Sequence, residues 1–427
     1  GLLPACVIVC PTKAIVAGDL DDPTSEIARL VTREQVQIRR PEQGTRPQVF
    51  YLGADEAAMT PGLAVQPPQY LWAEVGPRDV DLEPKGVPLE LVDSAEPSWA
   101  PEARPRPAAE ALGVVAQPLP ELKVLPGRSR GLEPMLAPAT KARTVYDVAH
   151  PKPWGWKVST YLWTKSIAAG VLGLAALALG RGGGGPLVTH VAPALALLFI
   201  AITGGLLVWD LKRPERFWRV LLTPNPRSWL VLGAYIITLF GGVAVLWLLT
   251  ALAGLTGTLT VLAWLGLVLA VAAAGYSAFL FGQAEGRDFW QSPLLLWHLL
   301  AAAAAAGAAA LLLSGVALGA TLDTLRDLGV ALAGGLGLSL FLAVAETLSP
   351  HTNQSVALAT RSLRAGPLRG RFWGGFVGGG VLALLLGLAG AQGGGVPLLA
   401  VAAVIALGAL WIYEDCWIRA GQSVPMS

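Results

Sequence analysis

The sequence predicts a mainly α-helical integral membrane protein, with a bundle of about eight transmembrane helices, a small N-terminal domain and a long proline-rich linker. Three observations predict this class. Hydrophobic residues make up 54% of the 427 residues and charged residues only 14%. Mean hydropathy is +0.55, which is outside the usual range of soluble enzymes. Apolar stretches of about 20 residues, matched to a ~30 Å hydrocarbon core, recur after Trp156.

Composition divides the chain into three zones, residues 1–53, 54–150 and 151–427. The first is mixed and polar, with strand-like runs at 15–17 and 49–52, and is predicted to be a small folded remnant. The second has frequent prolines and no sustained helical period, which predicts an extended linker. The chain starts with Gly1 and not with Met. We therefore expect the sequence to be N-terminally truncated.

The third zone is predicted to cross the membrane eight times. The expected spans are 158–180, 189–210, 229–253, 259–282, 294–318, 328–348, 372–391 and 397–417. An even number of spans returns the chain to its starting side. The N-terminal zone, the 2–3, 4–5 and 6–7 loops and the C-terminus therefore share one face, called face A.

Basic residues are concentrated on face A. The opposite face carries only Arg181 and Arg326. By the positive-inside rule face A is predicted to be cytoplasmic. The alternative is that these side chains dock an electron-transfer domain. The basic residues of the face A loops are Lys212, Arg213, Arg216, Arg219, Arg227, Arg287, Arg361, Arg364, Arg369 and Arg371.

Two cysteines near the N-terminus are the predicted metal ligands. Cys6 and Cys10 have the spacing Cys-x3-Cys-Pro, with Pro11 following. In bacterial ferredoxins this spacing closes an iron–sulfur cluster motif, and the final cysteine often serves the neighbouring cluster. Thiolates are required there because iron is held through sulfur. A structural pair of thiols is the alternative. Cys416 stands far away in the eighth apolar stretch, so the remaining cluster ligands are expected upstream or on another chain.

Ionisable and polar residues within the spans are the second candidate site, because each is costly in hydrocarbon. Their positions along the spans all place them toward face A. They predict either a site that binds a quinone headgroup and exchanges protons with it, or side chains that only snorkel to the interface. His190 and His298 lie near opposite faces, so no haem is expected. The candidate residues are Tyr161, Lys165, Asp210, Tyr235, His298 and Glu346, with Gln283, Glu414 and Asp415 in the same layer.

Several motifs in the membrane zone resemble those of the NrfD and polysulfide-reductase membrane-subunit family. They are DLKRPERF at 210–217, GRDFWQSPL at 286–294, Glu346 with SPHT at 349–352, and FWG at 372–374. The resemblance covers about 155–420. It implies an eight-helix, haem-free, quinone-binding subunit that passes electrons through iron–sulfur clusters to or from a catalytic subunit, often a molybdenum enzyme.

The first 53 residues resemble the C-terminal end of the four-cluster ferredoxin subunit that partners this family. GDLDDP at 18–23 and RPEQGT at 40–45 carry the likeness. The resemblance implies two normally separate subunits fused in one chain, with 4Fe-4S clusters as cofactors. The upstream cysteines of that subunit are absent from this sequence.

Together these observations predict a membrane subunit of a respiratory redox complex that moves electrons between iron–sulfur clusters and membrane quinone. The expected location is the bacterial inner membrane, and the expected partners are membrane lipid, quinone and an oxidoreductase subunit of the molybdopterin-dependent kind. A net charge of +2 is too small to indicate nucleic-acid binding. Two alternatives stay open: a proton or ion transporter, and a structural membrane anchor without its own quinone site.

Overall fold

The computed structural model describes residues 3–39, 47–54, 59, 154–211, 214–351 and 353–424. The predicted linker at 54–150 lies outside these residues, except for Ala54 and Met59. So do Lys212, Arg213, Thr352 and the RPEQGT motif at 40–45. The described residues of the N-terminal segment and the membrane helices belong to one compact unit.

Eight helices in the described parts of the chain are long and apolar enough to cross a membrane, which confirms the predicted bundle. Spans 6 and 8 extend farthest beyond the apolar stretches predicted for them. Span 6 starts six residues early, at Leu322, because the side chain of Thr321 caps it by accepting from the N–H of Thr324. The spans are Trp156–Gly180, Leu187–Asp210, Trp229–Leu252, Gly257–Gly282, Leu295–Ala317, Leu322–Leu348, Arg371–Gly394 and Val396–Gln422.

Spans 1 and 5 form the centre of the bundle. Their apolar windows are 72% and 67% buried, against 28–39% for the other six candidate spans. A side chain on Gly170 would overlap the carbonyl group of Ala303, and one on Gly307 would overlap the backbone of Gly170. Small residues let the two backbones touch, which matters because no hydrophobic drive brings helices together in lipid.

Hydrogen bonds tie the face A ends of the spans together. Gln422, at the end of span 8, exchanges two hydrogen bonds with the backbone of Trp154, just before span 1. Gln283, after span 4, accepts from the N–H of Trp229 at 2.9 Å and donates to the carbonyl of Arg227 at 2.7 Å. These contacts confirm that the chain returns to face A after an even number of spans.

The 4–5 loop is fixed to the C-terminal end of span 8 and to the 6–7 loop. The Arg287 guanidinium donates to the carbonyl of Val424 at 2.8 Å, and Asn353 donates to Asp288 at 2.9 Å. Burial lowers the pKa of Arg287, although an arginine keeps its charge in proteins. A short helix, Gln354–Arg364, lies in the 6–7 loop, and Arg219–Leu222 lies in the 2–3 loop.

The N-terminal segment contains helices Ala5–Val9 and Glu26–Arg33 and one two-stranded antiparallel ribbon. The ribbon pairs Val36–Gln37 with Tyr51–Leu52, so a strand forms within the run predicted at 49–52. The strand predicted at 15–17 is not formed. An apolar run needs a neighbouring strand to pair with, and none of the described residues supplies one there.

Candidate functional site

The two N-terminal cysteines lie on one turn of chain. Cys6 is in the helix Ala5–Val9 and is exposed, whereas Cys10 directly follows that helix and is 8% exposed. Lys13 has φ 53°, in the left-handed region, and the N–H of the next residue, Ala14, donates to the sulfur of Cys10 at 3.2 Å. Hydrogen bonds to sulfur are one of the features that set the potential of iron–sulfur clusters.

This donor set fits part of a cluster site. Both thiols can ligate iron, and the N–H directed at the Cys10 sulfur is the kind of hydrogen bond that tunes cluster potential. No group of three or more His, Cys, Asp or Glu side chains suited to a metal ion occurs among the described residues. Cys6 and Cys10 can therefore supply two ligands, and the others would have to come from elsewhere.

The cysteine turn is bound to the membrane domain through Asn225 in the 2–3 loop. The Asn225 side-chain amide donates to the carbonyl groups of Ile8 at 3.0 Å and Cys10 at 2.8 Å. Its backbone N–H donates to the carbonyl of Pro11 at 3.0 Å. The cysteine pair thus lies at face A, next to the ends of spans 2 and 3.

A buried polar network lies in the face A half of the bundle, and Lys165 of span 1 forms one part of it. Its ammonium group donates to the Ser277 hydroxyl at 2.5 Å and to the Ala274 carbonyl at 3.1 Å, and it lies 4.5 Å from the ring centre of Tyr276. All three partners are on span 4. Tyr161, one turn earlier in span 1, is also buried.

Spans 5, 6 and 8 supply the other part of the network. His298 packs against Tyr413 with ring centres 4.1 Å apart, and neither of its buried ring nitrogens has a hydrogen-bond partner among the described residues. The Glu346 carboxyl group interacts electrostatically with the side chains of Ser292 and Tyr413. His351, in the 6–7 loop, donates from Nε2 to the Glu346 backbone carbonyl at 3.0 Å.

Glu414 of span 8 acts electrostatically on both parts of the network. It is buried and within electrostatic range of Lys165, Tyr161 and Tyr413. Glu414 and Lys165 do not form an ion pair within 4.0 Å among the described residues. The network therefore contains one ammonium, two carboxylates, an imidazole and phenol groups within the apolar interior.

The neighbouring acid, Asp415, has a different environment. Its carboxylate is 1% exposed and accepts from Arg371 at 2.7 Å and Arg419 at 2.8 Å. The Ser159 hydroxyl donates to its other oxygen at 3.4 Å. Two cations already neutralise this carboxylate, so Asp415 joins spans 7, 8 and 1 and is not available to a ligand.

Four of the six residues predicted for the membrane site belong to the two parts of this network: Tyr161 and Lys165 to the first, His298 and Glu346 to the second. The other two lie at the rim. Asp210 pairs with Lys157 at 3.8 Å and also acts electrostatically on Tyr161. Tyr235 is 38% exposed and donates to the carbonyl of Leu221 at 2.7 Å.

Several residues of the two sites are not predicted by the sequence patterns. The signal for Tyr413 was its position beside Glu414. Tyr276 and Ser277 face Lys165 from another helix, and without helix pairing nothing in the sequence joined them to it. The Pro-Asn-Pro sequence at 224–226 indicates a loop with a restricted backbone. Nothing in it indicates that Asn225 binds the cysteine turn. The missed residues are Asn225, Tyr276, Ser277, Ser292 and Tyr413.

Comparison with known proteins gives separate matches for the two parts of the chain. Residues 144–422 match the family described as polysulphide reductase, NrfD. The N-terminal region matches subunits of reductases. It is similar to a tetrathionate reductase subunit of Salmonella typhimurium, with 47% identity over 77 residues, 18% of this chain and 30% of the relative.

Two further relatives of the N-terminal region are shorter matches. One is the arsenate respiratory reductase iron-sulfur subunit ArrB of a Shewanella species, 50% identical over 52 residues, 12% of this chain and 22% of the relative. The other is protein NrfC of Escherichia coli, 46% identical over 50 residues, again 12% and 22%. The chain thus spans 30% or less of the length of these relatives.

Proposed function

Because the chain belongs to the polysulphide reductase, NrfD family across residues 144–422, we propose that it passes electrons between iron–sulfur clusters and quinone in a bacterial respiratory membrane. One observation carries the proposal. The cysteine turn is hydrogen-bonded to a loop of face A, the same face toward which the buried titratable network lies. A quinone-reducing or quinol-oxidising subunit needs an electron carrier and a proton-exchanging headgroup site on the same side of the bundle.

Cys6 and Cys10 would be ligands of 4Fe-4S clusters whose other ligands come from outside this sequence, and in bacterial ferredoxins the cysteine before the proline, here Cys10, often serves the neighbouring cluster. A relative of the N-terminal region carries the name iron-sulfur subunit, and the N–H of Ala14 bonded to the Cys10 sulfur supports thiolate ligation. The cluster would supply one-electron transfer. The chain's own contribution is to bury Cys10 and to hold it against the membrane domain.

The membrane network would bind the headgroup and handle its protons. The Lys165 ammonium can donate a hydrogen bond to a quinone oxygen, since its present partners are a hydroxyl, a carbonyl and an aromatic ring. The His298 nitrogens have no hydrogen-bond partner among the described residues, so they can accept from or donate to a ligand. Glu346 is our proposed proton carrier, because it links the Tyr413 side of the network to His351 in the face A loop.

The partner would be the catalytic subunit of an oxidoreductase, of the molybdopterin-dependent kind, and face A would be cytoplasmic. The names of the relatives, which include tetrathionate, arsenate and polysulfide reductase subunits, support an oxidoreductase partner. A transporter is less well supported. The buried ionisable residues in the described parts of the chain lie toward face A and form no path across the bundle.

The test is removal of one cysteine in the full-length protein within its native membranes. Cys10→Ala should lower the iron content by one cluster, change the electron spin resonance spectrum, and abolish reduction of the clusters by quinol. Cys416→Ala is the matched control, because Cys416 is buried within span 8 and is not part of the cysteine turn; the iron content of this variant should stay unchanged. Unchanged iron content and spectrum in Cys10→Ala would contradict the proposal.

A further inference from the structure

We infer that Asn225 is a positioning residue that holds the cluster-binding cysteine turn against the membrane domain. The inference rests on the proposed function. Three hydrogen bonds carry it: those from the Asn225 side chain to the carbonyls of Ile8 and Cys10, at 3.0 and 2.8 Å, and that from its backbone to the carbonyl of Pro11, at 3.0 Å. The bond to Cys10 joins parts of the chain 215 residues apart.

The loop around Asn225 is shaped to present this side chain. Pro224 and Pro226 flank it and restrict the backbone on both sides. The Asn225 side-chain oxygen accepts from the N–H of Arg227 at 3.1 Å, which orients the amide so that its nitrogen faces the cysteine turn. Asn225 is only 5% exposed. A buried amide is costly unless its polar atoms are hydrogen-bonded, and here the oxygen and the amide nitrogen both have partners.

The bonds of Asn225 surround Cys10. They reach the carbonyl two residues before it, its own carbonyl and the carbonyl that follows. All three acceptors are backbone atoms, so Asn225 fixes the course of the chain at this cysteine. Cys10, whose carbonyl takes part in this contact, is buried. Cys6, which Asn225 does not contact, is exposed.

This arrangement gives Asn225 two effects on electron transfer. It sets the position of one cluster ligand relative to face A. It also keeps water from Cys10, and solvent exposure is among the features that set cluster potential. Water stabilises the more negatively charged, reduced state of a thiolate-bound cluster. Loss of the contact should therefore raise the midpoint potential of the cluster.

The experiment compares three variants of the full-length protein in native membranes. Asn225→Asp keeps the oxygen that accepts from Arg227 but replaces the donor amide with an oxygen that faces two carbonyls. Asn225→Ala removes the side-chain contacts without adding repulsion. Thr223→Val is the matched control, since Thr223 lies in the same loop and its hydroxyl donates to the carbonyl of Arg219, away from the cysteine turn.

We expect quinol-driven cluster reduction about tenfold slower in Asn225→Asp, in keeping with the loss of two hydrogen bonds. Asn225→Ala should show a smaller loss. The cluster should still be reduced by dithionite, with a raised midpoint potential and an altered electron spin resonance line shape. Thr223→Val should match wild type in all of these. Loss of iron from Asn225→Asp but not from Thr223→Val would also support the inference, because of these two substitutions only Asn225→Asp alters contacts to the cysteine turn.

A wild-type potential, spectrum and rate in Asn225→Asp would overturn the inference. That outcome is distinguishable from failure of the proposed function, which is tested by Cys10→Ala. If Cys10→Ala removes a cluster while Asn225→Asp behaves as wild type, the cluster assignment stands and the positioning role is wrong. If Cys10→Ala changes neither iron content nor spectrum, both fail.

Discussion

The ammonium group of Lys165 lies 2.5 Å from the hydroxyl of Ser277, across the interface of spans 1 and 4. Its other contacts are the Ala274 carbonyl and the Tyr276 ring, and the nearby acid Glu414 acts on it without a direct ion pair among the described residues. A buried amine held by neutral groups is costly to keep charged. A hydrogen bond from the ammonium group to an electron-rich ligand oxygen would offset part of this cost, and this is the role proposed for Lys165.

Ser277→Ala should weaken quinol use, because the hydroxyl is the shortest hydrogen-bond contact of Lys165 and orients its ammonium group. We expect a rise of about three- to tenfold in KM for quinol-driven cluster reduction, in keeping with the ~0.5–1.5 kcal/mol net contribution of one hydrogen bond. Lys165→Met should have a larger effect. Ser166→Ala is the control. The Ser166 hydroxyl is buried next to Lys165 in span 1, but it has no hydrogen-bond partner among the described residues. Equal KM values in Ser277→Ala, Lys165→Met and wild type would exclude Lys165 from the headgroup site.

Glu346→Gln should slow quinone turnover while leaving folding and iron content unchanged. Glutamine keeps the size of the side chain but cannot exchange a proton. We expect a fall in turnover of about 10²-fold or more, the usual order for loss of an acid–base group. Asp323→Asn is the matched control, because Asp323 begins the same helix at the opposite membrane face and is exposed. Wild-type turnover in Glu346→Gln would assign the proton route to another group.

The residue types of the membrane site could be predicted from sequence, but their pairing could not. Hydropathy located Lys165, His298 and Glu346, because ionisable residues stand out within apolar spans. Ser277 carries no such signal, since a lone hydroxyl is common in membrane helices. The difference between Glu414 and Asp415 was equally hidden. Adjacent helical residues point about 100° apart, and which of them meets Arg371 depends on how span 7 packs.

The N-terminal segment shows the same limit. The Cys-x3-Cys-Pro spacing indicated metal ligation without any structure. The contact between Cys10 and Asn225 joins residues 215 positions apart, and no local pattern connects them. The strand expected at 15–17 was wrong because strand formation depends on a pairing partner that apolar composition does not reveal.

Gly307→Ala should destabilise the bundle, because the new methyl group would overlap the Gly170 backbone at the contact of spans 1 and 5. Overpacking of this kind costs about 1–3 kcal/mol, which should appear as a lower thermal unfolding midpoint in detergent. Gly204→Ala in span 2 is the control, since no atom lies within 4 Å of a side chain added there. An unchanged midpoint in Gly307→Ala would mean that spans 1 and 5 are not in backbone contact.

The side of the membrane on which face A lies is the last prediction. The hydrogen bonds between Gln422 and Trp154, and between Gln283 and Arg227, place the two ends of the bundle and the 2–3 and 4–5 loops on one side. One fusion point therefore reports for the whole face. Its loops hold most of the arginines near the spans, so the positive-inside rule predicts that face A is cytoplasmic.

Alkaline phosphatase fused after Ser427 should accordingly be inactive, and a fluorescent protein fused there should fluoresce. Phosphatase fused after Gly319, in the 5–6 loop of the opposite face, should be active and serves as the control. The reverse pattern would place face A outside. The arginines would then have to be explained as a docking surface for an electron-transfer domain, because short loops next to the spans are the ones that obey the charge rule. Arg371 and Arg419 do not help to decide between these explanations, because their ion pairs with Asp415 already account for their positions. The deciding side chains are therefore the other arginines of the 2–3 and 6–7 loops.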